Sequence, residues 1–263
     1  MVKSKHILLV DGENILHQSF HKFERLHSTD GKPSGAIFGF FKSLHMYITR
    51  FNPDDVYITF DNGRSKYRTS LHPNYREHRK NISIDYESLQ TQKRVIMKIL
   101  GMLRIKYIFD KKKSTNYEGD DFLAYLIIDR FKDSKITLVS SDKDFNQLLH
   151  GKKVKIYNPR KDELVYESNC QDLFGYKASE TVDYLTMVGD SSDDIKGIPG
   201  IGPVKARKLL DEYGSLADYF TQHTDEHEKI KIAMFNTKLI DLKYFTNEHP
   251  FLKSVMIINR LQI

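Results

Sequence analysis

Short apolar runs alternate with segments of helical period over roughly the first two thirds of the chain, and helical periods alone fill the rest. His6-Ile7-Leu8-Leu9-Val10 is an unbroken apolar run ending at Asp11-Gly12, the pattern of a strand buried on both faces. The run Asp55-Val56-Tyr57-Ile58-Thr59-Phe60 ends the same way at Asp61, and residues 135–141 end at Asp142. Between the runs, 35–50 and 86–103 read as helices. The second spaces Leu89, Val95, Ile96, Ile99, Leu100 and Leu103 for one buried face. Further helices are expected over 121–131 and 145–149. Strands alternating with helices predict an α/β fold: a parallel sheet flanked by helices, with ligands at the carboxyl ends of its strands. Three separate runs deliver an aspartate to that edge. Beyond about residue 180 the pattern predicts helices over 180–188 and 204–213, joined by a glycine-rich turn. The expected division is an α/β core over 1–178 and a helical region over 179–263.

The 263 residues allow one large domain or two closely packed ones, and a hydrophobic share of 40% is enough for a true core. Cys170 is the only cysteine, which excludes an internal disulfide and a cysteine-rich zinc site and makes a reducing cytosol the expectation. The first apolar run is too short for a signal peptide, and no run approaches the roughly 18 apolar residues of a membrane helix. A soluble cytoplasmic protein is expected. No glycine-rich Lys-Ser/Thr loop indicates nucleotide hydrolysis, and the scattered histidines form no zinc-binding pair.

Nine carboxylates gather in four groups: Asp11; Asp61; Glu118, Asp120 and Asp121 with Asp142 and Asp144; and Asp190 with Asp193. Magnesium takes oxygen ligands and keeps several waters, so these acids suffice for two ions with outer support. Acids at helix starts also cap amide groups, and each group taken singly is open to that explanation. Taken together, so many like charges at one edge call for cations. The formal charge is +6, but with the nine acids set aside 41 basic residues face 26 acidic ones. A basic body around an acidic cluster suits a polyanion brought to bound metal, although an ordinary basic surface has the same composition.

Gly197-Ile198-Pro199-Gly200-Ile201-Gly202-Pro203 follows the last acids directly. Gly200 and Gly202 permit positive φ and leave amides open, and with Gly197 and the start of the next helix they form an anion site for DNA phosphates. Lys205, Arg207 and Lys208 add charge; a tight turn with no ligand is the alternative. The segment 61–79 carries Arg64, Lys66, Arg68, Arg76 and Arg79 among Tyr67, Pro73 and Tyr75. Its cations suit phosphates and its rings suit unpaired bases, whereas Lys66 reads as merely solvated. Arg76 and Arg79 are candidates to stabilise charge on a cleaved phosphate. Lys143, between Asp142 and Asp144, is either a phosphate contact or a salt-bridge partner.

These residues stand in recognisable strings: LLVDGEN from Leu8, GKPSGAIFGF from Gly31, TFDNGRSKYR from Thr59, YEGDDFLAYL from Tyr117, SSDKDFNQLL from Ser140 and MVGDSSDDIKGIPGIGPVKARKLL from Met187. In order and spacing the chain resembles, over nearly its whole length, the 5′-nuclease (flap endonuclease) superfamily. The resemblance is to the 5′-nuclease domain of bacterial DNA polymerase I and its stand-alone bacterial and phage relatives. It implies a PIN-like core, a helix–three-turn–helix element around 185–213 and a basic arch around 76–86 that passes a single-stranded 5′ end. It also implies two magnesium (or manganese) ions and hydrolysis near 5′ ends, nicks and flap junctions of DNA or RNA–DNA hybrids. By position, Asp11, Asp61, Glu118 and Asp120 resemble ligands of a first metal with Asp121 in support, and Asp142, Asp144, Asp190 and Asp193 those of a second. A potassium ion at the glycine turn, a separate DNA polymerase and a monomeric state complete the expectation. The chain departs from the pattern where Arg76 replaces lysine, Gln18 replaces arginine, Asp194 replaces asparagine and 111–116 is longer. Two rivals stay open: a flap-recognising protein with little cleavage, and a ribonuclease of the same core.

Overall fold

The computed structural model describes residues 4–77, 85–110 and 117–249. Its main sheet runs in the order β3-β2-β1-β4-β5-β6, with β1 (His6–Asp11), β2 (Asp55–Thr59), β3 (Lys106–Ile108), β4 (Lys135–Val139) and β5 (Val154–Asn158) parallel and β6 (Glu163–Val165) an antiparallel edge. The three strands expected from sequence are β1, β2 and β4. Strands β3 and β6 have only three residues each, too few to show a period.

Alternation along β1 divides the core in two. Leu8 and Val10 point to a layer formed with Ile58, Phe60 and Val139 and covered by α1 (Gly12–Lys22), α2 (Gly35–Phe51) and α4 (Tyr86–Met102). Ile7 and Leu9 point the other way, to Ile136, Leu138 and α5 (Gly119–Tyr125). This second core continues without a break into α7 (Thr181–Val188), α8 (Pro203–Tyr213), α9 (Leu216–Gln222), α10 (His227–Ile240) and α11 (Leu242–Glu248). Two short helices, α3 (Lys66–Leu71) and α6 (Cys170–Phe174), complete the set among the described residues, and no helix there is long and apolar enough to cross a membrane.

Two helices depart from the sequence pattern. The one expected over 121–131 begins at Gly119 and widens into a π-helical turn over Leu126–Arg130. The one expected over 145–149 is a tight 3-10 helix, Lys143–Leu148. It starts early because the Asp142 carboxylate accepts from the Asp144 amide only two residues on. The chain begins at the centre of the sheet, runs outward through β2 and β3, and returns to lay β4 on the other side of β1. The crevice at that reversal, beyond the carboxyl ends of β1 and β4, is where such sheets bind ligands.

Candidate functional site

Asp11 ends β1 and caps α1: its Oδ1 accepts from the Asn14 amide at 3.0 Å, and its Oδ2 accepts from Ser140 Oγ at 2.7 Å across the crevice. Asp142 similarly caps its own 3-10 turn. Capping is therefore real at both positions, and it fixes how the carboxylates are oriented. Asp61 follows β2, with Oδ1 accepting from the Gly119 amide at 2.6 Å, which draws the start of α5 and Asp120 beside it. From the other side come Asp190 on β7 (Gly189–Asp190) and Asp193 in the turn before β8 (Ile195–Lys196).

Burial has pushed five acids of the cluster upward. Asp11 is raised to about 7 by desolvation, with Asp61 and Asp142 adding repulsion. Desolvation is also the leading cause at Asp61, Asp120, Asp142 and Asp144, and neighbouring carboxylates reinforce it at each. Such a cluster stays ionised at neutral pH only with cations beside it.

The structure supplies two of those cations itself, and they are residues expected to meet DNA. Arg68 is buried, not exposed on a basic loop. Its guanidinium grips Asp121 through both nitrogens at 2.8 and 3.1 Å and donates to Glu118 Oε2 at 3.0 Å. Arg76, also buried, joins two acid groups: Nη1 donates to Glu118 Oε1 at 2.9 Å and Nε to Asp193 Oδ1 at 2.6 Å. It lies 3.6 Å from Asp120 and 4.0 Å from Asp61. Tyr75, expected to stack on bases, is 1% exposed and spends its hydroxyl on Asp193 and Glu118. The reason is electrostatic: carboxylates this buried draw in nearby guanidinium groups, whose planar fork matches them. Arg76 adopts φ 54° there, an uncommon conformation for a non-glycine residue. Arg64 is half-buried and donates to the Tyr75 carbonyl. Arg79 and most of the expected arch lie outside the described residues, as does 111–116.

The nine acids do not form one ready ligand set. Among the described residues no three His, Cys, Asp or Glu side chains make a coordination group, and Glu118, Asp121 and Asp193 are engaged by Arg68, Arg76 and Tyr75. The remaining acids nonetheless suit a hard divalent cation. Their donors are all oxygen, burial raises Asp11, Asp61, Asp120, Asp142 and Asp144, and Asp144 Oδ1 is a buried acceptor with no hydrogen-bond partner among the described residues. Lys143 is half-exposed and lies 3.4 Å from Asp190 Oδ2.

Sequence reasoning missed Glu13 and Lys93. Lys93 Nζ reaches Glu13 Oε2 and the Asp61 carbonyl, each at 2.7 Å, from a buried position on α4. The available signal was a lysine on the face of α4 that otherwise buries Leu89, Ile96 and Leu100. Gln18 donates to Asn14 Oδ1 and to Ser141 Oγ. Asp194, where asparagine is usual, has φ 59°, a conformation that both residues tolerate.

The glycine turn is a different kind of surface. Gly200 has φ 79° with open space where a Cβ would stand, and Gly202 is the N-cap of α8. Gly197 serves packing, since a Cβ there would lie 2.5 Å from the Met187 carbonyl. Lys205, Arg207 and Lys208 are exposed around the first turns of α8, but Arg207 turns back to the Phe174 carbonyl and the Tyr184 ring.

A family model described as the 5′-3′ exonuclease N-terminal resolvase-like domain matches residues 6–175, and one described as the 5′-3′ exonuclease C-terminal SAM fold matches 176–245. The 5′-3′ exonuclease of Buchnera aphidicola (subsp. Acyrthosiphon pisum) is 28% identical over 96% of this chain and 85% of its own length. That of Aquifex aeolicus is 31% identical over 81% and 71%. The thermostable DNA polymerase I of Thermus aquaticus is 30% identical over 80% of this chain, which spans 24% of that protein. Among solved structures, a phage T5 protein crystallised with metal ions superposes with a TM-score of 0.75 at 17% identity, over 93% of this chain and 92% of that one. A phage T5 flap endonuclease in complex with DNA and metal ions gives 0.74 at 18%, over 95% of both chains. At that identity the two structures speak to fold.

Proposed function

The chain belongs to the 5′-3′ exonuclease family, and on that premise we propose that it cleaves DNA near 5′ ends, nicks and flap junctions with the help of divalent metal ions during replication or repair. The observation that carries the reading is the meeting of buried, mutually repelling carboxylates at the crevice between β1 and β4, with Asp11 raised to about 7. Asp11, Asp61 and Asp120 would hold a first magnesium or manganese ion, and Asp142, Asp144 and Asp190 a second, with Asp193 in support through Arg76. When bound, the ions lower the pKa of a water and stabilise charge on the attacking and leaving oxygens. Glu118 and Asp121 support the first group through Arg68.

Arg76 has a more specific part. Its guanidinium bridges Glu118 and Asp193 at the point where the two groups meet, and exchanging one carboxylate for a phosphate oxygen brings a cation to the scissile group. Lys143, half-exposed beside Asp190, meets the same phosphate. The amides of Gly200 and Gly202, with a potassium ion, Lys205 and Lys208, hold the duplex backbone. In this reading the chain acts in the cytoplasm as a monomer, with a catalytic core over 1–178 and a duplex-binding region over 179–263, and a polymerase fills the gap it leaves.

The test is cleavage of a 5′-labelled flap duplex, mapped at nucleotide resolution in magnesium and in chelator, with an RNA–DNA hybrid alongside. Magnesium-dependent cuts at the junction are expected, and Asp11→Asn and Asp142→Asn each lower the rate at least ~10³-fold while flap affinity stays within about three-fold. Full activity in both variants overturns the metal assignment. Tight binding without any cut favours a flap-recognition protein.

A further inference from the structure

We infer that the end of α10 and its junction with α11, residues 236–242, is a positioning element that sets the two carboxylate groups and the glycine turn in register, with Gln147 and Asn236 as its positioning residues. The inference rests on the nuclease reading above.

A helix leaves its last carbonyls without intrahelical partners. In α10, which ends at Ile240, the last two of those carbonyls are taken by side chains from the site. The Leu239 carbonyl accepts from Arg68 Nε at 3.2 Å, and the same guanidinium holds Glu118 and Asp121. A cation at a helix carboxyl end is also favoured by the helix dipole. The Ile240 carbonyl accepts from Gln147 Nε2 at 3.1 Å, and that nitrogen also donates to the Asp144 carbonyl at 2.9 Å. Gln147 Oε1 in turn accepts from the Leu242 amide at 2.9 Å. One buried amide thus joins the short helix carrying Asp142 and Asp144 to the junction on both of its sides.

One turn earlier, buried Asn236 does the same for the duplex-binding part. Its Nδ2 donates to the Thr186 carbonyl at 3.0 Å and to the Lys196 carbonyl at 2.9 Å. Thr186 stands four residues before Asp190, and Lys196 directly precedes Gly197. Within seven residues, then, the chain touches the first acid group through Arg68, the second through Gln147 and the glycine turn through Asn236. Those parts come from segments far apart in sequence. A nuclease that cuts at a fixed distance from a junction needs the grip on the duplex and the cutting groups held at one spacing, because small misplacement of reacting groups is costly in rate. Leu239, Ile240, Leu242 and Phe245 pack into the core independently of these hydrogen bonds, so folding does not depend on the polar contacts alone.

The full chain carrying Gln147→Met or Asn236→Leu, each close to the native shape, provides the test. For Gln147→Met we expect kcat on a flap duplex in magnesium to fall about ten-fold, half-maximal magnesium to rise, and duplex Kd in chelator to stay within about two-fold. For Asn236→Leu we expect duplex Kd to rise about five-fold and cuts to spread over neighbouring phosphates, with kcat at saturating DNA within about two-fold. If Gln147→Met does not fold, Gln147→Glu, which keeps the acceptor for the Leu242 amide and loses the donor, is expected to show the same kcat effect. Losses in kcat and Kd that move together with Tm in both variants, or no loss in either, overturn the inference. A wild-type chain that leaves the flap uncut refutes the nuclease reading instead, since no variant is involved.

Discussion

The carboxylates form an inner and an outer layer, and the protein treats the two in opposite ways. In the inner layer, Glu118, Asp121 and Asp193 are bonded by the buried guanidinium groups of Arg68 and Arg76. In the outer layer, Asp11, Asp61, Asp120, Asp142 and Asp144 line the strand ends; among the described residues the ion pairs there are only the loose approaches of Arg76 to Asp120 and Asp61, and burial raises all five. Both layers are made of carboxylates. What differs is the distance to a fixed positive charge. The inner layer belongs to the fold, and the outer layer is left for cations from solution. Like charges gathered this closely serve function at the expense of stability.

Arg68→Leu is expected to break the comparison most severely. It strands Asp121 and Glu118 in the interior, for which the cost is about 3–5 kcal/mol. Denaturant unfolding in chelator should show a midpoint shift of that size. An unchanged midpoint with weakened DNA binding would return Arg68 to the role its place in a basic segment suggested.

That reversal shows what the sequence carries and what it leaves hidden. The parallel sheet was legible because β1, β2 and β4 are continuous apolar runs, and each is followed by an acid that the fold brings to one edge. The glycine turn was legible because Gly200 needs positive φ. The pairings of Arg68, Tyr75 and Arg76 were not, since a run of cations and rings reads alike whether it faces DNA or folds inward onto carboxylates from later segments. Their partners Glu118, Asp121 and Asp193 lie about 40 to 120 residues away, as the separations of the bonds record. Lys93 was hidden for a related reason. A lysine on an apolar face is visible in sequence, but its tie to the Asp61 carbonyl exists only once α4 has packed beside β2.

A smaller effect sharpens the outer half of the comparison. A carboxyl with a higher pKa folded than unfolded binds its proton more readily in the native state, so stability is greatest in acid and declines as pH rises. For Asp11 the window runs from its ordinary value of 3.8 to about 7, and the other raised acids act in the same direction. In chelator, Tm should therefore fall by about 5 °C between pH 5 and pH 8, and magnesium should reverse most of that fall at pH 8. A flat profile in chelator would mean that the outer acids are already neutralised by the protein.

The smallest change concerns Lys143, the outer layer's half-exposed cation. If that layer depends on ions from solution, this half-exposed lysine contributes little to folding. Its 3.4 Å approach to Asp190 is a partly solvated pair, which is worth between nothing and about 1 kcal/mol. Lys143→Met should then leave the unfolding midpoint in chelator within ~0.5 kcal/mol of wild type, against the several lost with Arg68. Its signature should appear instead on the substrate. A cation that meets the phosphate is missed during cleavage, so the rate at saturating magnesium should fall about ten-fold while the metal requirement stays the same. A stability loss as large as that of Arg68→Leu would show that Lys143 is part of the inner layer after all, and that the boundary between the two layers lies nearer the strand ends than the geometry of Arg76 indicates.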